Sequence, residues 1–215
     1  MRWFGTIAVG IVALLGSSAH AQTPVSEQHA SFYGCDFAIK VVEVADPEWP
    51  YYYRPLYKIS VQSAVVSPAT CGLTPATVEL ATSKLLPDIA IAVSADGLVA
   101  GYSFGEYIRA FGPWTRIRVH SLNPSSLVSL KVVGLMSNHV PTNGGAGMPA
   151  GTSLSGLSLL TTGDLQVTGS FGGNSLTEDP ATTAWPYPIV TGNNFTATYS
   201  GFFGQWSLAP SIVTY

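Results

Sequence analysis

The sequence predicts an all-β chain: a single-domain antiparallel β-sandwich of jelly-roll-like type behind an N-terminal signal peptide. Three observations carry that expectation. Apolar residues alternate with a period of two far more often than with a period near 3.6. Turn-forming clusters of Gly, Pro, Asn and Asp recur about every eight to twelve residues, which is the spacing of short strands. The 22 Gly and 15 Pro are spread through 215 residues without a three-residue period, which excludes collagen and makes long helices costly. With 47% hydrophobic residues the chain is too apolar for disorder, and with 9 basic against 12 acidic residues it is poorly suited to a polyanion such as nucleic acid.

The elements follow in chain order. Residues 1–21 have the form of a secretory signal: Arg2, an apolar run from Ile7 to Leu15, then small residues at Ala19 and Ala21, with cleavage expected before Gln22. That run is too short for a permanent membrane span, which needs about 20 apolar residues, and it implies a secreted, periplasmic or extracellular protein. Residues 22–34 read as a loose N-terminal segment, and 35–215 as the sandwich. Cys35 and Cys71 are the only cysteines, and in an oxidising compartment an even pair is most simply a disulfide. It would close a loop of about 36 residues, for which chain entropy suggests roughly 3 to 4 kcal/mol.

Strands are predicted over Phe37–Val44, Tyr57–Val66, Ala76–Leu80, Ile89–Val93, Leu98–Tyr102 and Tyr107–Phe111. Residues 82–91 could hold one helical turn before Pro87 stops it. The clearest strand is Thr115–Ser121, where Ile117 and Val119 face one way and Arg116, Arg118 and His120 the other, toward solvent. Asn123-Pro124-Ser125-Ser126 turns the chain into a second apolar run, Leu127–Leu135, with Val128, Leu130 and Val132 expected in the core. Further strands are expected at Leu165–Phe171, at Phe195–Ser200 with Phe195, Ala197 and Tyr199 inward, and at Ile212–Tyr215. Ser137–Gly151 and Gly172–Pro188 read as long loops.

The inventory for chemistry is thin. Past the signal the chain has His29, His120 and His139, with no His-x-His, His-Glu-x-x-His or Cys-x-x-Cys spacing, so no metal site and no cofactor are expected. No nucleophile elbow, phosphate loop or dinucleotide fingerprint occurs. Arg109, Arg116, Arg118 and Lys131 make at most a modest basic patch. Carboxylates such as Glu43 and Glu106 keep a two-carboxylate glycoside hydrolase open as an alternative.

The most distinctive local feature is the run from Asp46 to Tyr57, in which Trp49, Tyr51, Tyr52, Tyr53 and Tyr57 fall among three prolines. A regular strand cannot bury all of these rings on one side. Flat rings with polar tips stack on sugar faces and anchor protein partners at low entropic cost. Trp49, Tyr51, Tyr52 and Tyr53 are therefore the candidate ligand-binding residues, with a glycan or a protein as ligand. The reading is a secreted binding module, with a structural subunit of an extracellular assembly, able to self-associate, as the alternative.

Overall fold

The computed structural model describes residues 23–48, 55–95, 97–108, 112–138, 151–172, 175–178, 188–190, 194–200 and 211–213. These residues form fourteen strands and no helix. In chain order they are β1 (Ser26–Phe32), β2 (Cys35–Ala45), β3 (Pro55–Val65), β4 (Ala76–Ser83), β5 (Ile89–Ser94), β6 (Gly97–Ile108) and β7 (Gly112–Leu122). Then come β8 (Ser129–Asn138), β9 (Thr152–Leu159), β10 (Leu165–Phe171), β11 (Ser175–Glu178), β12 (Pro188–Val190), β13 (Asn194–Tyr199) and β14 (Ser211–Val213). All pairings are antiparallel and fall into three sheets, ordered β1-β2-β3-β4, β12-β11-β8-β7-β6-β5 and β14-β13-β10-β9.

The six-stranded sheet is the centre of the molecule, because its two faces feed two different cores. On β6 and β7, Val99, Ile117 and Val119 join Val133 and Leu135 of β8 and pack against Leu154, Leu165, Val167, Phe195, Ala197 and Tyr199 of the third sheet. The alternate residues Leu98, Ala100, Tyr102 and Leu122 pack against Phe37, Ile39, Val41, Ile59 and Val61 of the first sheet. From Leu98 to Tyr102, β6 is apolar in both phases, as a strand covered on both faces requires. Consecutive strands β1–β4 and β5–β8 stay within one sheet as meanders. From β8 onward the chain alternates between two sheets, with β11 pairing β8 and β13 pairing β10.

Within the segment expected to be loose, Ser26–Phe32 forms strand β1. Ser26–Phe32 pairs along its whole length with Cys35–Val41, from Ser26↔Val41 to Phe32↔Cys35. Its charges and hydroxyls hide it from a hydrophobic-pattern reading, and as an edge strand it pairs on one side only, with β2. The connecting turn places Tyr33 at φ 46° and Gly34 at φ 73°, the doubly left-handed geometry of a tight two-residue hairpin. A Cβ on Gly34 would also lie 2.2 Å from Thr70 Oγ1 and 2.8 Å from Ser67 Cβ. The Gly34 carbonyl accepts hydrogen bonds from the Val66 and Ser67 amides, and beside it Cys35 is disulfide-bonded to Cys71, with the Cα atoms 5.1 Å apart. The bridge thus ties the first hairpin to the β3–β4 connection, as the cysteine count predicts.

The second departure concerns register. Ile117 and Val119 are buried, but Val128 and Leu130 are 56% and 61% exposed, and Val132 is half-buried. The buried phase of β8 is Val133 and Leu135, opposite Val119 and Ile117. The cause is the turn. Leu127 adopts φ 56° and is fully buried in the core beneath the first sheet, its amide donating to the Asn123 carbonyl, and the ladder shifts between Ser121 and Leu122. A left-handed backbone at a leucine is unfavourable, and burying its side chain offsets the cost.

Elsewhere the expected strands are present among the described residues, while residues 109–111 and 214–215 of two of them lie outside those. Leu98–Tyr102 and Tyr107 onward fuse into the single strand β6, while β9, β11 and β12 are additional. Residues 82–91 hold no helical turn, since β4 runs to Ser83 and β5 begins at Ile89. No helix among the described residues is long and apolar enough to cross a membrane.

Candidate functional site

The candidate ligand-binding residues Trp49, Tyr51, Tyr52 and Tyr53 lie outside the described residues. What is described is the frame from which that segment leaves and to which it returns. Asp46 Oδ1 accepts a hydrogen bond from the Glu48 amide at 2.9 Å, an Asx turn that ends the β2 side, and Glu48 Oε2 reaches Lys84 Nζ at 3.2 Å. On the β3 side the chain resumes at Pro55 opposite Ala45.

Between these flanks and the central sheet lies an open pocket of about 250 Å³, lined by Leu56, Thr82, Ser83, Lys84, Phe104, Gly105 and Arg116. Four strands supply it. Leu56 comes from the start of β3, Thr82 and Ser83 from the end of β4, Phe104 and Gly105 from β6 and Arg116 from β7. Ser83 holds the floor in place. Its side chain is buried, its hydroxyl donates to the Leu85 carbonyl at 2.5 Å, and it accepts from the amides of Leu85 (3.2 Å) and Gly105 (3.1 Å). The Lys84 amide donates to the Gly105 carbonyl at 3.0 Å, so the end of the first sheet is fastened to the central sheet where the pocket sits.

From the pocket a polar and aromatic stripe runs inward along the central sheet. Phe104 pairs with Arg116, Tyr102 with Arg118 and Ala100 with His120, and directly opposed residues share a face. The Arg118 guanidinium carbon stands 4.7 Å from the Phe104 ring centroid, within cation–π range. Tyr102 meets Phe104 edge-on at 5.8 Å and stacks on His120 at 5.5 Å.

His120 is a correction to the sequence reading, which faces it to solvent. It is only 8% exposed, because the first sheet covers the face on which it alternates with the arginines. Its Nε2 lies 3.0 Å from the Tyr102 hydroxyl and its Nδ1 3.0 Å from the Ser129 hydroxyl. Desolvation, reinforced by the positive charge of Arg118, pushes the imidazole down to about 4. Desolvation also pushes the Tyr102 phenol up to about 12, although Arg118 pulls the other way. At neutral pH both are uncharged, and a neutral imidazole offers one donor and one acceptor to its two hydroxyl neighbours. His120 is thus hydrogen-bonded at both ring nitrogens within a β core.

A second polar cluster lies on the β1–β2 hairpin. His29 Nδ1 is 2.8 Å from Asp36 Oδ2 and its Nε2 is 3.0 Å from Glu27 Oε1; Ser31 donates to Asp36 Oδ1 at 2.8 Å, and Lys40 Nζ meets Glu27 at 2.8 Å. Here the hydrogen bond to Asp36, helped by Glu27, raises the His29 pKa. The serine contacts the carboxylate and not the imidazole, which is not the relay a nucleophile needs. No group of three or more His, Cys, Asp or Glu among the described residues is placed to hold a metal ion.

Ser83, Lys84 and Phe104 are the lining residues that sequence reasoning misses. Thr82-Ser83-Lys84 looks like any polar strand end, and only the fastening of β4 to β6 turns it into a wall. Comparison with known proteins adds no family: no family model, curated protein or solved structure matches the chain.

Proposed function

We propose that this chain is an exported binding module, a layered β-sandwich released from its signal peptide before Gln22, that holds a glycan or other extracellular ligand through Trp49, Tyr51, Tyr52 and Tyr53 and the pocket. One observation carries the reading: both described flanks of the Trp49–Tyr53 segment reach the pocket, Glu48 through its ion pair with Lys84 and Leu56 as a lining residue. Flat aromatic rings suit a sugar face, and a ligand surface on a rigid β frame binds at low entropic cost. The disulfide is in keeping with an oxidising compartment.

The test is a glycan array with the mature protein beside Trp49→Ala and Tyr52→Ala. Each substitution is expected to weaken binding by roughly 1 to 2 kcal/mol while leaving the melting temperature almost unchanged. A large loss of thermal stability with no ligand on the array would overturn the reading. The structural-subunit alternative draws on the exposed Val128 and Leu130; a concentration-dependent oligomer in size-exclusion chromatography that Leu130→Ser dissolves would favour it.

A further inference from the structure

We propose that His29 is a pH-sensitive clip on the edge strand of the first sheet: as an imidazolium it bridges Glu27 of β1 and Asp36 of β2 and holds Ser26–Phe32 in place, and as a neutral ring it gives up one of the two and loosens the strand. The clip is independent of the binding-module reading. It starts from the geometry of the ring. Nδ1 lies 2.8 Å from Asp36 Oδ2 and Nε2 lies 3.0 Å from Glu27 Oε1. An ionised carboxylate only accepts hydrogen bonds, whereas a neutral imidazole has one N–H and one lone pair. Both contacts therefore hold together only when both ring nitrogens carry a proton. Loss of one proton turns a lone pair toward a carboxylate oxygen.

Strand register builds this site. Glu27, His29 and Ser31 alternate along one face of β1, with Glu27 opposite Lys40, His29 opposite Ala38 and Ser31 opposite Asp36. Lys40 Nζ meets Glu27 Oε1 at 2.8 Å, and the Ser31 hydroxyl donates to Asp36 Oδ1 at 2.8 Å. Cations and carboxylates thus alternate in the order Lys40, Glu27, His29, Asp36. The hydrogen bond from Lys40 holds Glu27 below the usual carboxylate range. Desolvation pushes Asp36 upward, but the hydrogen bonds from His29 and Ser31 outweigh it and Asp36 is lowered too. Both carboxylates stay ionised while the imidazole titrates, so His29 is the group that changes charge. Besides β2, strand β1 packs against β5, whose residues Ile89–Ser94 include no ionisable side chain. On β2, Glu43 belongs to the opposite phase from Asp36 and Lys40. Farther across the face of the clip Lys58 and Glu79 pair with each other at 3.3 Å.

The place of the clip decides what it can move. At the turn, the Gly34 carbonyl and the Cys35–Cys71 bridge fasten the hairpin to the β3–β4 connection. Loosening therefore falls on the half of β1 that leads away from the turn, Ser26–His29. An exposed ion pair contributes little on its own, whereas charges in a network contribute more, and here one proton governs two contacts in a row of four charges.

The experiment is native-state amide hydrogen exchange of the whole protein at about pH 5.5 and about pH 8.5, on either side of the imidazole range, each rate being divided by the intrinsic rate at that pH. Protection of the Ser26–His29 amides should fall severalfold at the higher pH, while that of Leu165–Phe171 in β10 stays constant. His120, pushed down to about 4 by burial, is neutral at both. The His29 side chain is 53% exposed, so substitutions there leave the cores intact. His29→Gln should show the lower protection at both pH values. His29→Lys, whose ammonium keeps its charge across this range, should show the higher protection at both. Equal protection of β1 at the two pH values in the wild type would overturn the clip, as would a pH dependence that survives in His29→Gln or is shared by β10. Loosening of His29→Lys at the higher pH to the wild-type extent would overturn the charge bridge.

Discussion

His120 and His29 are the same residue type in opposite settings, and their chemistry diverges accordingly. The folded pKa of His120 is depressed to about 4 by burial and by Arg118. Between that value and the ordinary 6.5 the unfolded chain binds more protons than the folded one, so stability is lost as pH falls through this window. The full effect is roughly 3 kcal/mol. His29 is largely exposed, and its pKa is raised by Asp36 and then Glu27. Its contribution is present below pH 6.5 and fades as pH rises through the folded pKa. Titration of the ring protons by NMR should therefore resolve one imidazole well below 6.5 and another above it, and His120→Gln should remove the corresponding part of the acid limb of the unfolding curve. An imidazole at position 120 that titrates at or above 6.5 would contradict its burial. Neither setting is written in the residue. His120 alternates with Arg116 and Arg118 as a solvent-facing residue would, and only the packing of a second sheet above it reverses that reading.

At the scale of the element, β8 shows how a correct strand can be read in the wrong phase. Its position after the Asn123–Ser126 turn is visible in the sequence, but its inward set depends on how many residues the turn consumes. Burying Leu127 uses one more than a regular hairpin would, and with a period of two that exchanges the faces. Val133→Asp should bury a charge without a partner, cost several kcal/mol and prevent folding. Val128→Asp should change stability by less than about 0.5 kcal/mol. Urea denaturation of the two variants checks this, and equal tolerance would sink the observed register. On β7, Arg118→Ser should cost about 1 kcal/mol through loss of its contact with Phe104, although alternation alone makes the site look neutral.

The whole molecule is organised by sharing. The central sheet belongs to both cores, so neither outer sheet can lose its packing without exposing one face of β6 and β7. Asp88 adds a polar link: its Oδ2 accepts from the Ser103 hydroxyl and from the Leu154 amide of β9, both at 3.1 Å. Ile39→Ala empties the core beneath the first sheet and Leu165→Ala the core beneath the third; each should destabilise by about 2 to 5 kcal/mol. Both should move the same single transition in calorimetry, since both cores are built on the central sheet. Two separate transitions, each sensitive to only one substitution, would show that the layers are independent.

The β class, the antiparallel pairing, most strand positions and the Cys35–Cys71 bridge follow from patterns local in the chain. Alternation, turn residues and cysteine parity act over a few residues or over a simple count. The inward faces of β10 and β13 are legible for the same reason: Leu165, Val167, Phe195, Ala197 and Tyr199 alternate cleanly because the third sheet buries one face. The edge strand Ser26–Phe32, the phase of Val133 and Leu135, the burial of His120 and the pocket bounded by Lys84 and Arg116 were decided by contacts far apart in sequence. In a central sheet covered on both sides a polar side chain need not face water. Whether Arg116 or His120 meets water depends on where the first sheet ends above it, and no local pattern records that edge.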